Sequence, residues 1–192
     1  MIDKKLYVVR HLKTDDNLLE NFGSGDKESQ ILLGQTMDLE IVDFLKSNLQ
    51  QGYLIIHTDL NRTRQTSQIL ADSLSYNGYL LGISELKERF GGKYAGRQFN
   101  EIKKDFPEIN YPNELWNAPS AVDGLENINS FLDRLGVGLD LISQLSRGRD
   151  VVLVAHAGTI KGLMALKSPE EQRLEILIGP TPGNGKVFRM IV

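Results

Sequence analysis

Hydrophobic positions along this chain of 192 residues fall into short apolar blocks separated by stretches of helical period. The block at 6–9, Leu-Tyr-Val-Val, is rich in β-branched residues and reads as a strand buried on both faces. Blocks at 53–56 and 151–155 read the same way, with a further strand at 79–83 and two closing strands at 174–178 and 187–192. Between the strands, Met37, Ile41, Leu45 and Leu49 recur every fourth residue and predict a helix over 34–49. A helix over 62–74 carries Ile69, Leu70 and Leu74 on its apolar face, and another starts near Gly158. Ile128, Leu132, Leu135, Leu139 and Ile142 alternate spacings of four and three, which predicts a long amphipathic helix over 125–145. Gly136 and Gly138 inside it each weaken it by roughly 1 kcal/mol relative to alanine. Strands alternating with helices imply an α/β fold: a three-layer sandwich with a mostly parallel central sheet flanked by helices.

The segment 89–123 breaks this rhythm. It holds Pro107, Pro112 and Pro119, a Gly-Gly pair, the exposed-looking aromatics Tyr94, Tyr111 and Trp116, and one short helix over 98–106. Irregular stretches of this length are lids or binding loops, or else surface insertions. The expected organisation is a single domain over 1–192 with a lid-like insertion at about 89–123.

Composition narrows the function. With 22 Lys and Arg against 25 Asp and Glu the net charge is -3, which gives no support for a nucleic-acid or membrane-surface partner, although a local basic pocket is compatible with it. No cysteine is present, so disulfides, zinc thiolates and thiol catalysis are excluded. The first apolar run is too short for a signal peptide, and no stretch approaches the roughly 18 apolar residues of a membrane span. A soluble, cytoplasmic protein is expected; its oligomeric state stays open.

The chemistry sits at strand ends. The first strand ends in Arg10-His11, the second runs into "HTDLNRTRQT" with Arg62, and the third ends in "VAHAGT" with His156. Ligands of open parallel sheets bind outside the carboxyl ends of the strands. If the three strands are neighbours, two histidines and two arginines meet at one edge. The arginine forks suit phosphate or carboxylate oxygens, and helix N-termini after the strands would add N–H groups. A neutral imidazole between arginines is a competent nucleophile, and the second imidazole is placed to donate a proton. A metal site is disfavoured because the arginines repel a cation.

"RHLKTDDN" resembles the Arg-His motif of the histidine phosphatase superfamily (branch 1), the phosphoglycerate mutase-like proteins. "TDLNRTRQT", "LKERFGGKYAG", "VAHAGTIK" and "PTPGNGKV" resemble its later motifs in the family's order, from about residue 5 to the C-terminus. The resemblance implies that His11 is a nucleophile forming a phosphohistidine, and that Arg10, Arg62 and His156 bind the phosphoryl oxygens. It implies that Glu88 is first the general acid and then the base that activates water. Thr14, Asn17 and Ala157 would line the pocket. It implies no metal and no organic cofactor. The expected activity is hydrolysis of a small phosphomonoester metabolite, with phosphoglycerate mutase-type transfer, a protein phosphohistidine phosphatase or a non-catalytic phosphate-binding module as alternatives. Glu85 and Glu101 compete with Glu88 for the acid's place. Glu126 is either part of a recurring helix-start motif or a carboxylate favoured by the helix dipole, and Arg134 either reaches the sheet edge or lies on the helix surface. His57 is expected to pack or hydrogen-bond, and Arg64 to be a surface charge. Leu12 and Ala157 replace glycines of the family pattern and would add bulk near the pocket; Lys13 and Ala95 also depart from it.

Overall fold

The structure, a computed structural model, describes residues 5–105, 107 and 124–191. Its strands are β1 (Lys5–Arg10), β2 (Leu54–His57), β3 (Leu80–Gly82), β4 (Val151–Ala155) and β5 (Val187–Ile191). They form one sheet in the order β3-β2-β4-β1-β5, parallel except for β5, which runs antiparallel to β1. The helices are α1 (Asp15–Leu18), α2 (Leu39–Asn48), α3 (Asn61–Leu74), α4 (Phe99–Asp105), α5 (Ile128–Ser146), α6 (Ala157–Leu166) and α7 (Arg173–Ile178).

Side-chain alternation along the strands builds the three layers. Leu6 and Val8 of β1, with Leu54, Ile56, Val151 and Leu153, face a core filled by Phe131, Leu135 and Ile142 of α5 and Ile160 and Leu163 of α6. Tyr7 and Val9, with Ile55, Val152 and Val154, face the opposite way onto Val42 and Leu45 of α2 and Leu70 and Leu74 of α3. Both faces are covered, which is why the central strands read as unbroken apolar runs. Among the described residues, no helix is long and apolar enough to cross a membrane.

Several elements differ from expectation: α1 lies where no helix is expected, and α5 begins at Ile128, capped by Asn127, and not at residue 125. The segment 174–178 is not a strand; it lies in helix α7. A five-residue apolar run does not separate strand from helix by periodicity. The packing decides it: Leu177 is buried against Leu132 and Ala165 while Leu174 is 52% exposed, so only one face is covered. Helix α2 starts at Leu39 and not at residue 34, because the Asp38 side chain accepts the Glu40 N–H and caps it. Met37, just before the cap, still joins Val42 in the core, in the manner of a hydrophobic staple, which explains its place in the fourfold pattern. In the irregular segment, Tyr94 is buried and not exposed, with the Arg97 guanidinium 5.5 Å from its ring centre. Tyr111, Trp116, Pro112 and Pro119 lie outside the described residues.

The two glycines of α5 have opposite meanings. A β-carbon on Gly136 would meet nothing within 4 Å, whereas one on Gly138 would lie 2.4 Å from Cδ2 of Leu86, a fully buried side chain. Gly136→Ala is therefore expected to stabilise the protein by up to about 1 kcal/mol. Gly138→Ala is expected to destabilise it by about 1–3 kcal/mol through overpacking. Urea unfolding midpoints check the pair; shifts of the same sign would contradict this packing.

Candidate active site

The register of β1 and β4 sets Arg10 opposite Ala155, so the residues that follow, His11 and His156, leave the sheet side by side. Their rings lie 5.3 Å apart, centre to centre. Beside them, β2 ends at His57, paired with Val154, and the chain turns through Thr58 into α3, whose first turn carries Arg62. Together these ends floor a cavity of about 600 Å³. Arg10, His11, Arg62, Glu88 and His156 all line it, and so do Thr14, Asn17 and Ala157. All eight residues singled out from the sequence thus meet at one place.

His11 is fixed on several sides. Its backbone N–H donates to the Ala155 carbonyl at 2.9 Å, and the next amide, that of Leu12, donates to Thr66 Oγ1 at 3.0 Å. Its ring Nδ1 lies 2.7 Å from the Leu12 carbonyl oxygen. A carbonyl only accepts, so Nδ1 carries the proton and the neutral ring keeps its lone pair on Nε2. Burial, and then the charges of Arg62 and Arg10, hold the His11 pKa well below the ordinary histidine value, so the ring is neutral near pH 7.

His156 is held differently. Its Nδ1 accepts the Nε–H of Arg62 at 3.2 Å, which leaves the ring proton on Nε2, and Thr58 Oγ1 lies 2.5 Å from that atom. Thr58 passes its own hydroxyl proton to Thr63 at 3.2 Å, and Thr63 donates to the Leu60 carbonyl at 2.8 Å. Both ring nitrogens are thus occupied within the protein. The expected proton donor to a ligand is, in this geometry, the group that orients Arg62. Burial first, then Arg62, His11, Arg10 and Arg134, push its pKa well below the ordinary value.

The two arginines are not equivalent. Nη1 of Arg62 donates to the Lys27 carbonyl at 2.9 Å and Nη2 to the Ser24 carbonyl at 2.8 Å. With Nε on His156, most of that fork is taken by the protein. Arg10 gives one Nη1 proton to the Pro182 carbonyl, and its buried Nε has no partner among the described residues. Among the described residues, Arg10 thus keeps more donors free for a ligand than Arg62 does.

Glu88 is the acid of the three candidates that lines the cavity. Glu101 instead sits 3.8 Å from Arg97, and Glu85 accepts from the Ser84 hydroxyl. Each Glu88 carboxyl oxygen accepts one amide: Oε1 that of Arg89 at 2.9 Å, Oε2 that of Gly158, in the first turn of α6, at 2.8 Å. The α6 N–H expected to serve a ligand anion is thus on Glu88. Burial raises its pKa, with the two amides and then Arg62 and Arg10 opposing.

Arg134 and Glu126 are sited by the structure in one role. Arg134 forms a two-point pair with Glu126, at 2.9 Å and 2.7 Å, and donates to the carbonyls of Glu85, Lys87 and Glu88. Glu126 in turn accepts the Phe90 amide at 3.0 Å. The pair clamps the segment that presents Glu88. His57 accepts the Asp59 amide at 3.1 Å, and Arg64 pairs with Asp59 at the exposed surface, both as expected. Leu12 does not narrow the cavity: it is buried in the core cluster of Met37 and Val42. Ala157 does line it.

Asn184 was not singled out from its motif, although the Gly-Asn-Gly turn marked the place. Its Nδ2 donates to the His11 carbonyl at 2.9 Å and to Asn17 Oδ1 at 3.2 Å. Asn17 also forms a reciprocal cap with Thr14 at the start of α1. Lys161, in the quoted fourth motif, was missed as well; it lines the cavity and is 4% exposed.

Two outcomes follow. Arg134→Met leaves Glu126 partly buried without its cation, and is expected to lower stability by about 3 kcal/mol and to displace Glu88. Thermal unfolding and the pH-rate profile check it; unchanged values in both contradict the clamp. Second, unfolded histidines take up protons below the ordinary value of 6.5, while His11 and His156 in the fold resist until well below it. Their contribution to stability is therefore present above that value and lost as pH falls through it towards the folded pKa. Glu88, raised in the fold, acts in the opposite sense, one proton against two. The unfolding temperature of unliganded protein is expected to fall on acidification below about pH 6.5; a His11→Asn variant should show a shallower fall.

The chain matches the family model for the histidine phosphatase superfamily (branch 1) over residues 6–181. It is 25% identical over 168 residues to the uncharacterized phosphatase PhoE of Bacillus subtilis (strain 168), covering 88% of this chain and 79% of that protein. It is 26% identical over 189 residues to phosphoglycerate mutase-like protein 4 of Arabidopsis thaliana, covering 97% and 79%. The crystal structure of a phosphoglycerate mutase from Bacillus anthracis str. Sterne superposes with a TM-score of 0.76 at 19% identity, covering 98% and 88%. With its motifs in family order, its phosphoglycerate mutase-like fold and the match across nearly its whole length, the chain belongs to the histidine phosphatase superfamily, branch 1.

Proposed function

We propose that this chain hydrolyses a small phosphomonoester metabolite in two steps through a phosphohistidine on His11. The observation that carries the reading is the contact of His11 Nδ1 with the Leu12 carbonyl, which leaves the Nε2 lone pair on a neutral ring in an arginine-lined cavity. In the first step Nε2 attacks phosphorus while the bond to the leaving oxygen breaks, and the Glu88 carboxyl gives its proton to that oxygen. In the second, the Glu88 carboxylate takes a proton from water, the water oxygen attacks phosphorus, and the P–N electron pair returns to Nε2. The raised pKa of Glu88 suits an acid that must start protonated and end as a base.

Phosphoryl transfer asks mainly for positioning and positive charge around the equatorial oxygens. Arg10, with only one of its protons on a protein carbonyl among the described residues, supplies most of it. Arg62 adds charge from a fork anchored on His156 and on the loop that carries Ser24 and Lys27, and His156 acts chiefly by holding it. Phe99, Asn100 and Lys103, all in α4, stand at the cavity wall, which supports a lid role for this helix over the leaving group.

The first test is phosphate release from a panel of phosphosugars, phosphoglycerates, nucleotides and an aryl phosphate, in excess EDTA. Release that resists the chelator and disappears in His11→Ala is expected. Phosphoglycerate isomerisation without release would favour the mutase alternative, and phosphate binding without either would favour a binding module. The arginines should separate. Arg10→Ala is expected to lower kcat/KM by about 100- to 1000-fold with little loss of stability. Arg62→Ala should lower both activity and the unfolding temperature, because it strips the Ser24 and Lys27 carbonyls of their donor. Equal effects of the two substitutions on stability would contradict the division of roles.

A further inference from the structure

Lys161 lies in α6, one turn beyond His156, and the reaction steps above make no use of it. The residue is buried, only 4% exposed, yet it is one of those that line the cavity. It donates to the Gly179 carbonyl at 2.6 Å and to the Leu177 carbonyl at 3.2 Å. An ammonium carries three protons. Two are fixed by these carbonyls, which aim the group like two legs of a tripod, and the third has no partner among the described residues.

A further cation would suit a phosphoryl group bound in this cavity. A bound phosphoryl group brings close to two negative charges and three acceptor oxygens. Arg10 has open donors, but three of the five Arg62 protons are on His156, Ser24 and Lys27, and a fourth approaches Ser29 Oγ at 3.4 Å. We propose that Lys161 is a further phosphate-binding residue, presenting its third N–H to a phosphoryl oxygen. This rests on the reading of the cavity as a phosphoryl site. The same contacts tie α6 to the chain after α7, which leads to Thr181, Pro182 and Asn184, so the ammonium also braces the partners of Arg10 and His11.

A plain alternative is that Lys161 only caps the C-terminal carbonyls of α7, where any cation is favoured. The two readings differ in how ligand binding depends on pH. Burial lowers the Lys161 pKa to about 8, with Glu88 opposing and Arg10 adding to the shift. The charged groups acting on it are thus Arg10 at the end of β1 and Glu88 beyond β3, while α7 and the chain after it present carbonyls. A ligand of the ammonium is lost as pH rises through this value, and a bound anion should in turn raise it. A mere cap predicts neither.

The test is calorimetric binding of inorganic phosphate to the whole protein from about pH 7.5 to about pH 9.5, with affinities referred to the phosphate dianion, whose share rises over the lower part of the range. Wild-type affinity is expected to fall about tenfold or more across the range. Lys161→Met should bind phosphate about tenfold more weakly at the lower pH, without that fall. Lys161→Arg should keep most of the affinity and also lose the fall, because a guanidinium does not titrate there. Lys161→Met removes only the ammonium, so it separates Lys161 from Glu88 as the source of the pH dependence. If Lys161→Met does not fold, the wild-type titration and Lys161→Arg still decide. Flat wild-type affinity, or a fall that persists in either variant, overturns the role of Lys161 alone. No phosphate binding at any pH overturns the phosphoryl-site reading and this inference with it.

Discussion

The parallel register that places Arg10 opposite Ala155 underlies every other feature of the cavity. It brings His11 beside His156 and lets the His11 amide reach the Ala155 carbonyl, which seats the ring where its Nδ1 meets the Leu12 carbonyl. A slip of one residue would exchange Leu6 and Val8 for Tyr7 and Val9 between the two cores, so the burial that holds the sheet together also holds the site in place. The register is robust because both faces are covered. Function here borrows its precision from the hydrophobic pattern of two strands.

Around that pair the groups are arranged in layers of support. Arg62 is anchored by His156, His156 by Thr58, and Thr58 by Thr63. Glu88 is suspended between two amides, and the Arg134–Glu126 pair grips the carbonyls on either side of it. Among the described residues, the arrangement concentrates cations and a buried carboxyl without ion-pairing them to one another. Burial then sets the protonation states: both imidazoles neutral and the carboxyl pulled towards its acid form. Preorganised groups of this kind act in a dry site without rearranging during the reaction.

Much of this was legible in the amino-acid order. The strands ending in Arg10-His11 and in His156 are apolar on both faces, and their ends converge as a parallel sheet requires. Glu88 was legible from its motif, and the structure separates it from Glu85 and Glu101 by the cavity it faces. Other features were not legible, for physical reasons. The run at 174–178 lacks enough residues to show a period, and only the exposure of Leu174 against the burial of Leu177 reveals a helix. Tyr94 sits among polar residues and glycines, yet is covered by tertiary contacts and by cations stacked on its ring. The unequal roles of Arg10 and Arg62 depend on carbonyls from distant loops, which no local spacing encodes. Asn184 and Lys161 likewise act through backbone oxygens, whose positions only the folded chain defines.

The central claim is that Nε2 of His11 takes up the phosphoryl group. It is tested most directly by mixing the protein with a hydrolysed phosphomonoester, quenching at alkaline pH within the first turnovers, and mapping the modified peptide by mass spectrometry. The account predicts one added phosphoryl group on His11, stable in alkali and lost in acid, and none in His11→Asn. Turnover with no trapped phosphoryl group on His11, or with the group on another residue, would contradict it.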